Sequence, residues 1–178
     1  GQYSSISGAV GCEDCLAGQS SASGSGSCAP CLAGRFAVSD GAGSCAECTG
    51  GTYSAVGATA CTDCAVGKAD LDSDASTPCT SCDAGTFSDS EGSASCADCA
   101  AGKVSTSDRT SCDDCSAGES SVTGSSSCTR CTAGRYSDTA GATECTSCGV
   151  GTFAADHATQ CYPCASGYED ADSDPSTE

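Results

Sequence analysis

The stretch Cys131–Cys148 reads C-T-A-G-R-Y-S-D-T-A-G-A-T-E-C-T-S-C, and almost everything else in the chain is a variation on it. It opens on the second cysteine of one Cys-x-x-Cys pair and closes with a complete pair. Between them stand Gly134, three residues on, then Tyr136-Ser137, and then Gly141-Ala142 ahead of the next pair. All twenty cysteines fall into ten such pairs, at 12/15, 28/31, 45/48, 61/64, 79/82, 96/99, 112/115, 128/131, 145/148 and 161/164. The steps between pairs are 16, 17, 16, 18, 17 and 16 residues, after which the series restarts with 16, 17 and 16. One round of six steps is 100 residues, and residues 12–78 align without a gap on 112–178 with 34 of 67 positions identical. A six-repeat block has been duplicated.

A fixed short period means an array in which each repeat touches mainly its neighbours. The expected organisation is the tail of a truncated repeat at 1–11, a six-repeat block at 12–111, and a second copy at 112–178 that stops after four repeats. Asp170–Asp174 matches Asp70–Asp74, and the position after Glu178 would match Cys79, so a longer parent chain is expected to continue with a cysteine.

Composition rules out an ordinary core. Leu, Ile, Val and Phe together number 14 of 178 residues, with no Met and no Trp, far below the roughly 20% under which chains are usually disordered. Apolar burial at about 25 cal/mol per Å² cannot offset roughly 1–2 kcal/mol of backbone ordering per residue in such a chain. Cross-links must supply the difference: a disulfide closing about 15 residues is worth on the order of 3 kcal/mol in the chain-entropy model. Disulfides at this density belong to an oxidising, extracellular setting. No apolar run reaches the ~20 residues of a membrane span. A formal charge of −18 with six Lys and Arg excludes the phosphate contacts of nucleic-acid binding.

Every Cys-x-x-Cys is followed at the third residue by glycine, from Gly18, Gly34, Gly51 and Gly67 through Gly85, Gly102 and Gly118 to Gly134, Gly151 and Gly167. Such regularity is steric, a sign of positive φ or of close approach by the next repeat. Two residues later the side chain is aromatic in half the repeats (Phe36, Tyr53, Phe87, Tyr136, Phe153) and is Ser20, Ala69, Val104, Ser120 or Glu169 in the others. G-x-[FY]-S is expected to be a short strand whose ring covers the adjacent disulfide, followed by a turn and a second extended piece ending at the next pair. Gly8-Ala9 holds the same turn in the first, partial repeat. No sustained 3.6-residue apolar period exists, and helices are not expected.

Over essentially its whole length the chain resembles the ephrin-receptor-like cysteine-rich repeats of large extracellular proteins, whose unit runs C-x-x-C-x-x-G-x-[YF]-S followed by Gly-Ala, as in Cys28–Ala42, Cys45–Ala58 and Cys128–Ala142. It is also similar to the first module of tumour-necrosis-factor-receptor repeats. The resemblance implies a small disulfide-rich fold with short β-strands and no globular core, an elongated rod or solenoid of tandem repeats. Spacing alone leaves the cysteine connectivity open. The resemblance implies that the second cysteine of each pair joins the first of the next: Cys15–Cys28, Cys31–Cys45, Cys48–Cys61, Cys64–Cys79, Cys82–Cys96, Cys99–Cys112, Cys115–Cys128, Cys131–Cys145 and Cys148–Cys161. Cys12 and Cys164 would then seek partners outside residues 1–178.

Two other chemistries fit parts of the pattern. Successive Cys-x-x-Cys pairs have a Cys₄ zinc spacing, although zinc modules of that kind are usually intracellular and basic. Asp70, Asp72 and Asp74, repeated as Asp170, Asp172 and Asp174, form D-x-D-x-D, an oxygen-rich spacing suited to a weak calcium site; as plain sequence it is a solvated acidic loop. His157 is the sole histidine and replaces Gly57 of the first block, which argues against a catalytic role. No catalytic set can be assembled, so an enzyme is not expected. Asn is absent, while Ser and Thr crowd into 20–27, 73–77 and 120–127, offering acceptors for O-linked glycans. The reading that best joins these facts is a structural extracellular protein, a segment of a long rod that assembles with copies of itself into a filament, surface appendage or matrix fibre. The alternatives are a ligand-binding receptor or adhesin ectodomain and a multi-zinc array.

Overall fold

A computed structural model describes residues 1–7 and 10–164. The expectations that fall on Gly8-Ala9, Gly167, Glu169, Asp170, Asp172 and Asp174 lie outside the described residues. The chain divides into two compact units, Gly1–Ser81 with Ser88–Cys96, and Cys82–Phe87 with Ala97–Glu178. Both are made of one hairpin used over and over.

None of the described residues is helical, as a Gly- and Ser-rich chain with no helical apolar period requires. Among them lie twenty strands, from β1 (Gln2–Tyr3) to β20 (Tyr162–Pro163), nearly all two residues long. They pair antiparallel as ten separate two-stranded sheets. In the first unit Arg35 faces Glu47 and Phe36 faces Ala46; in the second Arg135 faces Ser147 and Tyr136 faces Thr146. The first strand of each hairpin is therefore the residue pair after the glycine, as expected. The second is not a piece ending at the next cysteine pair, because it lies inside that pair and consists of its two spacer residues. Extended chain alternates its side chains, so cysteines three positions apart leave such a strand on opposite faces. One is then placed to reach back and the other to reach forward.

The invariant glycine makes the corner that starts each hairpin. Gln19 N–H bonds to the Leu16 carbonyl at 3.0 Å, and Glu119 N–H to the Ser116 carbonyl at 3.1 Å. Gly18 and Gly118, the third residues of these turns, have φ of 81° and 86°. A four-residue turn with positive φ at its third position is a type II turn, which takes glycine there. The same glycine also joins repeats. Gly18 N–H bonds to the Ala37 carbonyl of the next repeat at 2.9 Å, and its own carbonyl accepts from Cys31 N–H at 2.8 Å. Two further bonds complete the junction, Ser21 N–H to the Ala42 carbonyl at 3.3 Å and Gly41 N–H to the Cys15 carbonyl at 2.8 Å. In the second unit Gly118, Ser121 and Gly141 donate in the same way to Ser137, Ala142 and Cys115.

Contact does not stop at the adjacent repeat. A β-carbon at Gly51 would overlap the carbonyl oxygen of Gly92, two repeats on, and one at Gly118 would lie 2.6 Å from the carbonyl oxygen of His157. With main chains so close, the enclosed side chains are small. Cys15, Cys31, Cys64, Cys99, Cys115 and Cys131 are fully buried. The residue after the aromatic position is buried as well, as Ala37, Ser54, Ser88, Ser121, Ser137 and Ala154. The rings themselves are only half-buried. The buried hydroxyls are bonded: Ser54 Oγ donates to the Arg35 carbonyl at 3.1 Å and Ser121 Oγ to the Lys103 carbonyl at 3.0 Å, each in the preceding repeat.

Gly24 and Gly51 separate the two demands on glycine. Both have positive φ, 82° and 83°, but nothing lies within 4 Å of a β-carbon at Gly24. Gly24→Ala should therefore cost only the left-handed backbone term of about 1–2 kcal/mol, whereas Gly51→Ala must also displace the Gly92 carbonyl. Hydrogen exchange at the Gly92 and Asp70 amides should accelerate more than about tenfold in Gly51→Ala relative to Gly24→Ala, the equivalent of ~1.4 kcal/mol. Equal exchange in the two variants would show that the second-neighbour contact carries no energy.

Candidate functional site

The chemistry this chain concentrates is sulfur. Disulfides join Cys15–Cys28, Cys31–Cys45, Cys48–Cys61 and Cys64–Cys79 in the first unit. In the second they join Cys99–Cys112, Cys115–Cys128, Cys131–Cys145 and Cys148–Cys161. Their Cα–Cα distances are 5.6–5.8 Å, ordinary for unstrained bridges. Cys82 and Cys96 are disulfide-bonded as well. Among the described residues, Cys12, exposed, and Cys164, half-buried, stand outside these bridges. Each bridge closes a separation of 13 to 15 residues, tying both ends of a hairpin. Sulfurs committed in this way are not available as the four thiolates of a zinc site. Among the described residues, no group of three or more His, Cys, Asp or Glu is placed to hold a metal ion.

The first D-x-D-x-D segment is built as a self-satisfied loop. Asp72 Oδ1 accepts from Asp74 N–H at 3.1 Å, and its Oδ2 accepts from the Thr77 hydroxyl at 2.9 Å. Asp74 Oδ1 accepts from Ser76 N–H at 2.9 Å. Asp70 is different, being buried at the position that holds Ser or Ala elsewhere. Its Oδ2 accepts from Gly51 N–H at 3.3 Å, replacing the backbone carbonyl that serves the equivalent glycine in other repeats. Ser105 makes the same exchange, its hydroxyl accepting from Gly85 N–H at 2.9 Å. Nothing in the sequence pattern marks these two residues as joints between repeats, because only the packing shows which glycine each one meets.

Ionised side chains elsewhere pair across the short sheets. Arg35 bonds Glu47, its partner in register, and Lys103 Nζ lies 2.7 Å from Asp114 Oδ1. Tyr3 donates to Glu13 at 2.8 Å, and this hydrogen bond, with the carboxylate charge, raises the Tyr3 pKa. These pairs are exposed, and exposed ion pairs contribute little stability. His157, with φ of 63° and Nε2 3.7 Å from Glu119 Oε1, occupies a turn position held by glycine in other repeats.

With this geometry in hand, residues 118–156 match the family model described as tyrosine-protein kinase ephrin type A/B receptor-like. Comparison with curated proteins gives no match. The matched segment is an ephrin-receptor-like cysteine-rich repeat, with a Cys-x-x-Cys spacer strand, a glycine corner, a two-residue hairpin and a disulfide that closes it, and disulfide-bonded repeats of the same build stand in tandem along the described residues. The module described by that family model is a non-catalytic extracellular repeat, and the match together with the many disulfides suggests an extracellular, receptor-type module. No helix among the described residues is long and apolar enough to cross a membrane.

The hydrogen bonds within the Asp70–Pro78 loop hold the carboxyls of Asp72 and Asp74 below the ordinary value of 3.8, the first chiefly through the Thr77 hydroxyl and the second through Ser76. A depressed pKa means that the folded loop favours the ionised form, so this support is present above the ordinary carboxylate range and is lost as pH falls through the depressed values. Amide exchange at Asp74 and Ser76, corrected for intrinsic rates, should rise on acidification below about pH 4. In an Asp72→Asn, Asp74→Asn variant, which keeps one acceptor oxygen at each position and does not titrate, the rise should disappear; if it persists, the loop is not held by those carboxylates.

Proposed function

We propose that this chain is a structural segment of an extracellular assembly, a rod of equivalent repeats that associates with copies of itself in a filament or fibre. The observation that supports the reading most directly is the uniformity of the repeat junction. The same three backbone hydrogen bonds recur at Gly18, Ser21 and Gly41 and again at Gly118, Ser121 and Gly141. Repeats that differ by only one or two residues in length present equivalent surfaces at regular intervals, which suits self-association through equivalent contacts. The acidic surface keeps such a segment soluble until its counter-charges are met.

The receptor or adhesin reading stays beside it on a separate observation: two of the repeats carry an open groove where others carry a ring, which is a departure from uniformity of the sort a ligand site needs.

Negative-stain electron microscopy and sedimentation velocity on the purified, oxidised protein test the proposal. Filaments, or a sedimentation coefficient that climbs with protein concentration at physiological salt, are expected. A monodisperse monomer at all concentrations, with or without divalent cations, would leave the receptor reading in its place.

A further inference from the structure

The aromatic position two residues after the glycine carries a ring in Phe36, Tyr53, Phe87, Tyr136 and Phe153. Where it does not, the outcomes differ. Ala69 is fully enclosed, at 0% exposure. Ser20 and Ser120, 100 residues apart, instead border open grooves of about 820 Å³ in the first unit and about 400 Å³ in the second. Both grooves run over the disulfide of the following repeat. Cys31 and Cys45 line one, Cys131 and Cys145 the other. The hydroxyl standing in for the ring lies against that sulfur, Ser20 Oγ 3.3 Å from Cys45 Sγ and Ser120 Oγ 3.5 Å from Cys145 Sγ.

The grooves are also anomalous in charge. The first is lined by Arg35 and by no carboxylate, although Arg35 is paired with Glu47 just outside it. The second is lined by Arg130 and Arg135 against Glu144. Each lining thus carries one net positive charge, on a chain whose formal charge is −18, and together they use three of its six cationic residues. The walls are apolar or hydroxylic: Leu32, Pro30 and Ala29 in one, Val122, Thr129 and Thr132 in the other.

The geometry points to these two grooves as docking sites for a partner protein that presents a Phe or Tyr ring flanked by acidic residues. The ring lies over the disulfide that lines each groove, since aromatic rings pack well against polarisable sulfur. The flanking carboxylates meet the arginines, whose planar forks suit carboxylate pairing. This inference is independent of filament formation, since monomeric protein displays both grooves.

The test is an NMR titration of the 178-residue protein with three blocked peptides, Asp-Phe-Asp, Asp-Ala-Asp and Lys-Phe-Lys, following the amides of Ala29, Leu32 and Ser44 in the first groove and Thr129, Thr132 and Thr143 in the second. Asp-Phe-Asp is expected to shift both sets and to bind at least about tenfold more tightly than either control peptide, a margin of ~1.4 kcal/mol. Ser20→Phe should abolish binding at the first groove and spare the second, and Ser120→Phe should do the reverse, each variant serving as the folding control for the other. Should a filled groove disturb its own repeat, Arg35→Gln and Arg135→Gln leave the groove open and should remove the preference for acidic over lysine-flanked peptide. Equal binding of Asp-Phe-Asp and Asp-Ala-Asp, no shift at millimolar peptide, or binding indifferent to the Ser→Phe changes would overturn the proposal. So would the same amides shifting on concentration of the protein alone, which would make a second copy of this chain the occupant.

Discussion

The backbone-to-backbone contact at the glycine corner is the constraint on which the rest of the structure depends. Gly51 illustrates its three demands: positive φ, an N–H committed to the next repeat, and a carbonyl oxygen two repeats on pressed against the place where a β-carbon would stand. No other residue meets all three. Because main chains approach this closely, little room remains for side chains between them, and the enclosed positions hold Cys, Ser and Ala in place of the Leu and Phe of a globular core.

A fold with so little apolar burial needs another source of order. Each disulfide closes 13 to 15 residues, a loop length at which cross-linking removes on the order of 3 kcal/mol from the unfolded ensemble. That restraint acts repeat by repeat, which matches a structure whose sheets, among the described residues, are separate two-stranded pieces. An isolated two-stranded hairpin is marginal in water; here disulfides pin the hairpins after the first at their bases, and backbone hydrogen bonds join neighbouring repeats. Among the described residues no buried side-chain nitrogen or oxygen lacks a partner, so the buried polar side chains carry no desolvation penalty left unmet.

Uniform junctions and local departures divide the functional argument between them. The recurring bonds join neighbouring repeats in the same way within each unit, which is the property a structural array requires. The departures fall at particular repeats: Asp70 and Ser105 supply side-chain acceptors in place of a carbonyl, and Ser20 and Ser120 leave their disulfides beneath a groove. The first pair preserves the junction by other means. The second pair alters the surface, and a partner meets a surface.

Much of this was legible in the sequence. The period of the cysteines and the scarcity of large apolar residues determined a disulfide-rich, helix-free array of short strands, and glycine at the third residue after every pair determined a sterically closed corner. Each of these is a requirement within a single repeat, so it recurs as a residue type at a fixed offset. The tertiary structure alone decided that the second strand is the Cys-x-x-Cys spacer, that the buried residue is the one after the ring, that Gly51 meets Gly92 two repeats on, and that Asp70 turns inward while Asp72 and Asp74 cap their own loop. These are relations between repeats, made mostly by main-chain carbonyls and amides. Every residue carries those groups alike, so the sequence records the contacts only where they forbid a side chain.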